Sequence, residues 1–214
     1  MRLLLIRHGE TAHNVEQLAL GREDVPLNER GLRQARALGE ALAGAAPFGT
    51  IAALYSSPLQ RATATASPLA EALDLAVQVE DGLIEMEIGE VEGQTFTQVR
   101  ERYPDFLRLW LSDGLADVHM PGGESLRQVQ ERAWAAVESI RDRHPDGTVA
   151  TVSHNFVILT ILCRALGLPL ARFRSLRHDL AAVSVLELTP GRETVLTLND
   201  RCHLRAAGLT DGRS

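Results

Sequence analysis

Leu3-Leu4-Leu5-Ile6-Arg7-His8-Gly9-Glu10-Thr11 decides how this sequence folds. The apolar run has strand length and reads as a strand buried on both faces, the kind found in parallel sheets with helices on either side. It ends abruptly in a guanidinium, an imidazole and a glycine. Ligands bind beyond the carboxyl ends of parallel strands, and a glycine there lets backbone come close to a small anion. An isolated histidine at such an end is usually structural or simply at the surface. His8 is not isolated, because Arg7, Gly9, Glu10, Thr11 and Asn14 crowd into the same turn.

Outward from this strand, apolar runs of strand length recur at 51–55, 149–152 and 183–188, with a weaker one at 194–198. Between them lie helical patterns. Leu32, Ala35, Leu38 and Leu42 share one helical face, as do Leu126, Val129, Ala133, Val137 and Ile140, with Ser125 placed as an N-cap. Strands alternating with helices predict a layered α/β domain with a buried, mostly parallel sheet.

The composition narrows the function. In 214 residues there are 22 basic and 28 acidic side chains, a net charge of −6, and 45% hydrophobic residues, the profile of one globular domain. All 22 basic residues are arginine. Without a lysine, neither a P-loop nor a Schiff-base mechanism can operate, whereas the arginine fork suits phosphate and carboxylate. The scatter of arginines and the negative charge argue against nucleic acid as a partner. Cys163 and Cys202 form no CxxC pair, which suits a reducing compartment. The first apolar run is too short for a signal peptide, and Phe156 to Cys163 falls well under the ~20 residues of a membrane span. A cytoplasmic protein without a membrane partner is expected.

Residues 94–120 stand apart, carrying Phe96, Tyr103, Phe106 and Trp110 in a chain that is only 4% aromatic. These aromatics fit either a small satellite core or a lid over a pocket. Three more segments put polar residues at element ends. Ser56-Ser57-Pro58-Leu59-Gln60-Arg61-Ala62 sets Arg61 in the first turn of a helix, where a surface arginine is unfavourable unless an anion neutralises it. Ser153-His154-Asn155 places a second imidazole at a strand end, as His8 is placed. The acidic loop from Leu83 to Gly93 offers Glu85, with Glu87 as a rival, as a proton donor.

Together with Pro121-Gly122-Gly123-Glu124-Ser125, these segments resemble the histidine phosphatase superfamily, the phosphoglycerate mutase-like enzymes, across nearly the whole chain. The pattern is most similar to the small broad-specificity and alpha-ribazole phosphatase-type members. The resemblance implies a three-layer α/β/α sandwich with a helical lid insertion at about 94–120 and a single domain over 1–206; the tail at 207–214 is expected to fray, as unanchored termini do.

By that resemblance His8 is the nucleophile that takes up the phosphoryl group, and its other ring nitrogen should donate to a backbone carbonyl. Arg7, Arg61 and His154 would hold the phosphate, with Asn14 as a neutral donor, and Glu85 would protonate the leaving oxygen. No metal and no other cofactor is implied. Glu10 and Thr11 would support the turn. Leu20, Gly21 and Asn155 are expected at the substrate. Met86, Glu87 and Ile88 replace the basic and aromatic residues with which mutases bind a carboxylated sugar phosphate, which argues against strong carboxylate recognition. Leu20 stands where many relatives have a polar residue, and Asn155 where glycine is commoner; an asparagine tolerates left-handed backbone there.

The expected activity is hydrolysis of small phosphomonoesters, with Leu20, Met86 and the aromatic segment forming an apolar pocket. The alternatives are a cofactor-dependent phosphoglycerate mutase, a sensor without turnover, and a metallohydrolase. For the last, the seven histidines supply no HExxH motif. A homodimer through the helix near Trp134 or an edge of the sheet is compatible with the sequence.

Overall fold

In the computed structural model, which describes residues 1–44 and 49–210, strand β1 (Arg2–Arg7) buries Leu3, Leu4, Leu5 and Ile6 completely. Side chains alternate across a strand, so this run feeds two separate cores. Leu3 and Leu5 join one with Val149 and with Leu126, Val129, Ala133 and Val137 of helix α6 (Leu126–Arg143). Leu4 and Ile6 join the other with Leu38 of α2 (Glu29–Gly44) and Ala62, Ala66 and Leu69 of α3 (Gln60–Leu73). Each leucine or isoleucine so buried contributes roughly 1.5–3 kcal/mol relative to exposure. One strand thus sits between two helical layers, which is the three-layer arrangement.

The remaining strands are β2 (Ile51–Ser56), β3 (Val77–Val79), β4 (Thr148–Ser153), β5 (Val183–Thr189) and β6 (Arg192–Asp200). They form one sheet in the order β3-β2-β4-β1-β5-β6. β3, β2, β4 and β1 run parallel, and β5 and β6 add an antiparallel edge. The sequence pattern finds five of these strands and not β3, whose three residues are half-exposed or exposed and pair only with β2. The β5–β6 ladder is interrupted by two register shifts, a device that twists an edge away from further pairing.

Helix α6 begins as its sequence predicts. Ser125 Oγ accepts from the Gln128 N–H at 3.3 Å, and the Gln128 side chain accepts from the Ser125 N–H at 3.0 Å, a reciprocal cap. Helix α7 (Asn155–Ala165) follows β4 and packs on α6. Short α1 (Ala12–Glu16) follows the His8 turn and is capped by Thr11 and Asn14 in the same reciprocal way. Gly31 of α2 lies against that turn without a side chain between them: a Cβ on Gly31 would come within 2.1 Å of the Glu10 carbonyl.

Residues 94–120 carry α4 (Phe96–Arg102) and α5 (Pro104–Trp110). Their aromatics do not make a core of their own. Trp110 stacks with Phe106 and meets Phe156 and Phe173 edge-on or tilted, at centroid distances of 5.8, 6.3 and 6.1 Å, and so joins the core over α7. After α8 (Cys202–Ala206), the Leu209 carbonyl accepts from Arg30 at 2.8 Å. Of the tail expected to fray, residues 211–214 lie outside the described residues. No helix among the described residues is long and apolar enough to cross a membrane.

Candidate active site

The register of two strands builds the centre of the site. β1 and β4 are parallel neighbours in which Arg7 pairs with Ser153, so the residues that follow, His8 and His154, emerge side by side. The His8 N–H donates to the Ser153 carbonyl at 3.0 Å, and the two rings stand with centroids 5.2 Å apart at 53°. Both are buried.

His8 Nδ1 donates to the Gly9 carbonyl at 2.7 Å, which fixes the tautomer and leaves the Nε2 lone pair free. Burial, and then the Arg61 and Arg7 charges, hold its pKa well below the usual imidazole value. His154 Nε2 lies 2.7 Å from Ser57 Oγ, and burial followed by Arg61, His8 and Arg7 lowers its pKa well below the ordinary value too.

Arg61 corrects the picture of a surface arginine in a first helical turn, for its side chain is wholly buried. Its Nη2 donates to the Gly21 carbonyl at 2.6 Å and its Nη1 to the Glu23 carbonyl at 2.7 Å. Arg7 Nη1 donates to the His178 carbonyl at 2.7 Å, and burial brings the Arg7 pKa down to about 10. Among the described residues, the buried side-chain nitrogens and oxygens left without a partner are Arg7 Nε, Arg61 Nε, His154 Nδ1 and both ring nitrogens of His178. Buried polar groups are seldom left so, and an anion seated between the two guanidiniums and His154 could accept from the first three.

Glu85 is buried, and burial raises its pKa. Its Oε1 accepts from the Met86 N–H at 2.8 Å and its Oε2 from the Phe156 N–H at 3.3 Å. The rival Glu87 is partly exposed and pairs with Arg22 at 2.8 Å. Arg132 steadies this loop, donating to the carbonyls of Gly82, Ile84 and Glu85 at 3.0, 2.6 and 3.0 Å. Glu85 is therefore held by the backbone within the field of Arg61 and Arg7, whereas Glu87 belongs to the surface.

The other expected residues are placed unequally. Asn14 caps α1 and borders a cavity of about 380 Å³ walled by Leu18, Val91, Phe106, Trp110, Met120 and Phe156. Leu20 and Met86 are not in that wall; Met86 is fully buried in the core beneath, and Leu18 and Ala19 take the place expected of Leu20. Gly21 serves through its carbonyl, on Arg61. Asn155 is the first residue of α7 in right-handed helix, so the left-handed backbone open to asparagine is not used. Among the described residues, no group of three or more His, Cys, Asp or Glu is placed to hold a metal ion.

Residues 3–201 match the sequence profile of the histidine phosphatase superfamily, branch 1. The chain belongs to that superfamily. It is 37% identical over 204 residues to phosphoserine phosphatase 1 of Hydrogenobacter thermophilus, covering 95% of this chain and 94% of the relative. Its fold superposes on Bacillus stearothermophilus YhfR with a TM-score of 0.86 at 32% identity, over 95% and 98% of the two chains. The alpha-ribazole phosphatase of Shigella flexneri gives a TM-score of 0.83 at 26% identity, over 94% and 96%. This histidine phosphatase is accordingly a phosphatase enzyme, with the six-stranded, mostly parallel sheet of its family.

Four residues around the site had no role assigned from sequence. Ser57 and Glu92 lie inside family-like segments, so a signal was present. Thr65, whose hydroxyl accepts from the Gly9 N–H at 2.9 Å, and His178 gave none, because nothing in their local sequence distinguishes them from packing residues.

Proposed function

We propose that this histidine phosphatase hydrolyses small phosphomonoesters through a phosphohistidine on His8. The observation that carries the reading is the hydrogen bond from His8 Nδ1 to the Gly9 carbonyl, which aims an unprotonated Nε2 among guanidiniums with unpaired donors. The Nε2 lone pair attacks phosphorus, the P–O bond to the leaving group breaks, and the Glu85 carboxyl delivers its proton to the departing oxygen. Water then attacks phosphorus, Glu85 takes the water's proton, and the N–P bond breaks to release phosphate. Arg7, Arg61 and His154 hold the phosphoryl oxygens throughout.

The leaving group occupies the cavity of about 380 Å³. Phe156 joins that cavity to the proton donor, since it lines the wall while its N–H donates to Glu85 Oε2. The wall is mainly apolar, with His13, Asn14, Gln17 and Gln94 as polar groups, and favours aryl and hydrophobic esters. Glu87 is engaged by Arg22, and Met86 is in the core, which leaves a phosphoglycerate carboxylate no basic partner from that loop.

The test is a rapid acid and base quench after mixing with a ³²P-labelled aryl phosphate. An acid-labile, base-stable label on His8, lost in His8→Ala together with turnover, is the expected result. Full activity in His8→Ala would overturn the mechanism. Specificity constants favouring 3-phosphoglycerate over the aryl ester, or sustained isomerisation without phosphate release after priming with a bisphosphoglycerate, would instead establish the mutase. Activity should be unchanged by chelator.

A further inference from the structure

We infer that Glu92 is a positioning residue that sets the Arg61 guanidinium by gripping the backbone of the segment Gly21–Glu23. Its Oε1 accepts from the Gly21 N–H at 2.5 Å, and its Oε2 accepts from the N–H groups of Arg22 at 2.9 Å and Glu23 at 3.3 Å. One carboxylate thus collects three successive main-chain donors. Two carbonyls of the same short segment, those of Gly21 and Glu23, are the acceptors of Arg61 Nη2 and Nη1. Peptide units are planar, so holding the Arg22 N–H fixes the Gly21 carbonyl in the same unit, and the Glu23 carbonyl follows one residue beyond the last N–H that Glu92 holds.

Arg61 depends on that direction. Its side chain is fully buried and its Nε lacks a partner, so the two carbonyls are the hydrogen-bond partners that hold its fork. A carboxylate also supplies negative charge near a desolvated guanidinium, and Glu92 is among the acids whose field favours the charged form of Arg61. The segment is closely packed at Gly21. A Cβ on Gly21 would approach Ile88 Cγ1, the Met86 carbonyl and Glu92 Oε2 at 2.7, 2.8 and 2.9 Å. Glu92 touches neither His8 nor Glu85 through any hydrogen bond and acts on the reaction through Arg61 alone.

This inference rests on the phosphatase reading, and a double-mutant cycle separates the two. With 4-nitrophenyl phosphate as substrate and inorganic phosphate as inhibitor, kcat, KM and the phosphate inhibition constant are measured for wild type, Glu92→Ala, Glu92→Gln, Arg61→Ala and the Glu92→Ala/Arg61→Ala double variant. Melting temperatures accompany each. Loss of activity in Arg61→Ala checks the phosphatase site independently of Glu92.

A misplaced guanidinium is expected to cost about 10- to 100-fold in kcat/KM in Glu92→Ala and to weaken phosphate inhibition in parallel. Glu92→Gln, which keeps one acceptor, should recover part of that loss. In the Arg61→Ala background the Glu92→Ala change should cost less than about threefold, because its effect has already been removed. Equal fold-losses in both backgrounds, or a Glu92→Ala enzyme with wild-type kinetics, would overturn the inference. Should Glu92→Ala fail to fold, the same cycle is run with Glu92→Gln and judged by the same criterion.

Discussion

Ser57 Oγ and His154 Nε2 lie 2.7 Å apart, joining the end of β2 to the end of β4 at one ring of the imidazole pair. The same hydroxyl accepts from the Leu59 N–H at 3.3 Å, so it is anchored before it meets the ring. His154 has no other side-chain hydrogen bond, its Nδ1 being buried and unpaired. Ser57→Ala should therefore let the ring rotate and lower kcat for an aryl phosphate about 10-fold, with KM little changed, since one fixed donor to the phosphoryl group becomes loosely held. Stopped-flow kinetics beside a thermal melt would check this. Wild-type kcat in a folded variant would remove Ser57 from the site.

Acid should unfold this protein in a defined window. His8, His154 and His178 are buried with pKa values below the usual 6.5, that of His178 at about 3. In each case burial is the first cause. The unfolded chain binds protons at these positions from 6.5 downward while the folded state does not, so stability is lost as pH falls through 6.5 and toward about 3. Each histidine contributes a slope of at most about 1.4 kcal/mol per pH unit. His178→Phe, which discards two unpaired nitrogens, should flatten the profile by about that amount per unit, measured by denaturant titration at several pH values. An unchanged slope would show that His178 is protonated in the folded state.

Glu85 works in the opposite sense. Its folded pKa is raised above 4.5 by burial, so its contribution to stability is complete below 4.5 and is lost as pH rises through the folded value. Glu85→Gln carries no such loss. The melting temperature of the variant relative to wild type should climb with pH, while its kcat/KM, which reports the step that expels the leaving group, falls by about 10² to 10⁴ for an alkyl phosphate and less for a nitrophenyl ester that needs no proton. Parallel melting curves at every pH, or equal losses on both esters, would contradict the assignment.

The cavity makes a prediction of its own. Leu18 is half-buried in its wall and contacts no candidate catalytic group through a hydrogen bond of its side chain. Leu18→Asp should raise KM for 1-naphthyl phosphate about 10-fold, a cost of the order of one lost apolar contact, and leave methyl phosphate within about twofold. Michaelis–Menten curves for the two esters decide it; equal effects on both would place the leaving group elsewhere.

Much of the fold and of the site is legible in the sequence. The Leu3–Ile6 run predicts a doubly covered strand because alternate side chains must find apolar partners on both faces, and they do, in two distinct cores. Ser125 predicts a helix start from its own chemistry. Arg7, His8, Arg61, Glu85 and His154 announce themselves as polar residues at element ends, where packing does not require them. The strand Val77–Val79 escapes because three half-exposed or exposed residues carry no period, and it exists only through pairing with β2. The sequence misleads about Met86 for a related reason. An apolar residue beside a candidate acid looks like pocket lining, yet local sequence does not say which way a loop side chain turns. Glu92 and Ser57 grip partners about 70 and 97 positions away, and such pairings are settled by tertiary contact alone.

The division of labour along the chain has a practical outcome. Residues 94–120 supply Phe106, Trp110 and Met120 to the cavity wall but none of Arg7, His8, Arg61, Glu85 and His154. Much of the wall thus comes from a stretch that holds none of the candidate reacting groups, with Leu18, Ala19 and Phe156 closing it from elsewhere in the chain. If the leaving group sits there, transplanting that one contiguous excursion from a cousin enzyme would alter the menu of alcohols accepted while the phosphorus chemistry stayed as it is, which makes it a natural first unit for retargeting this scaffold.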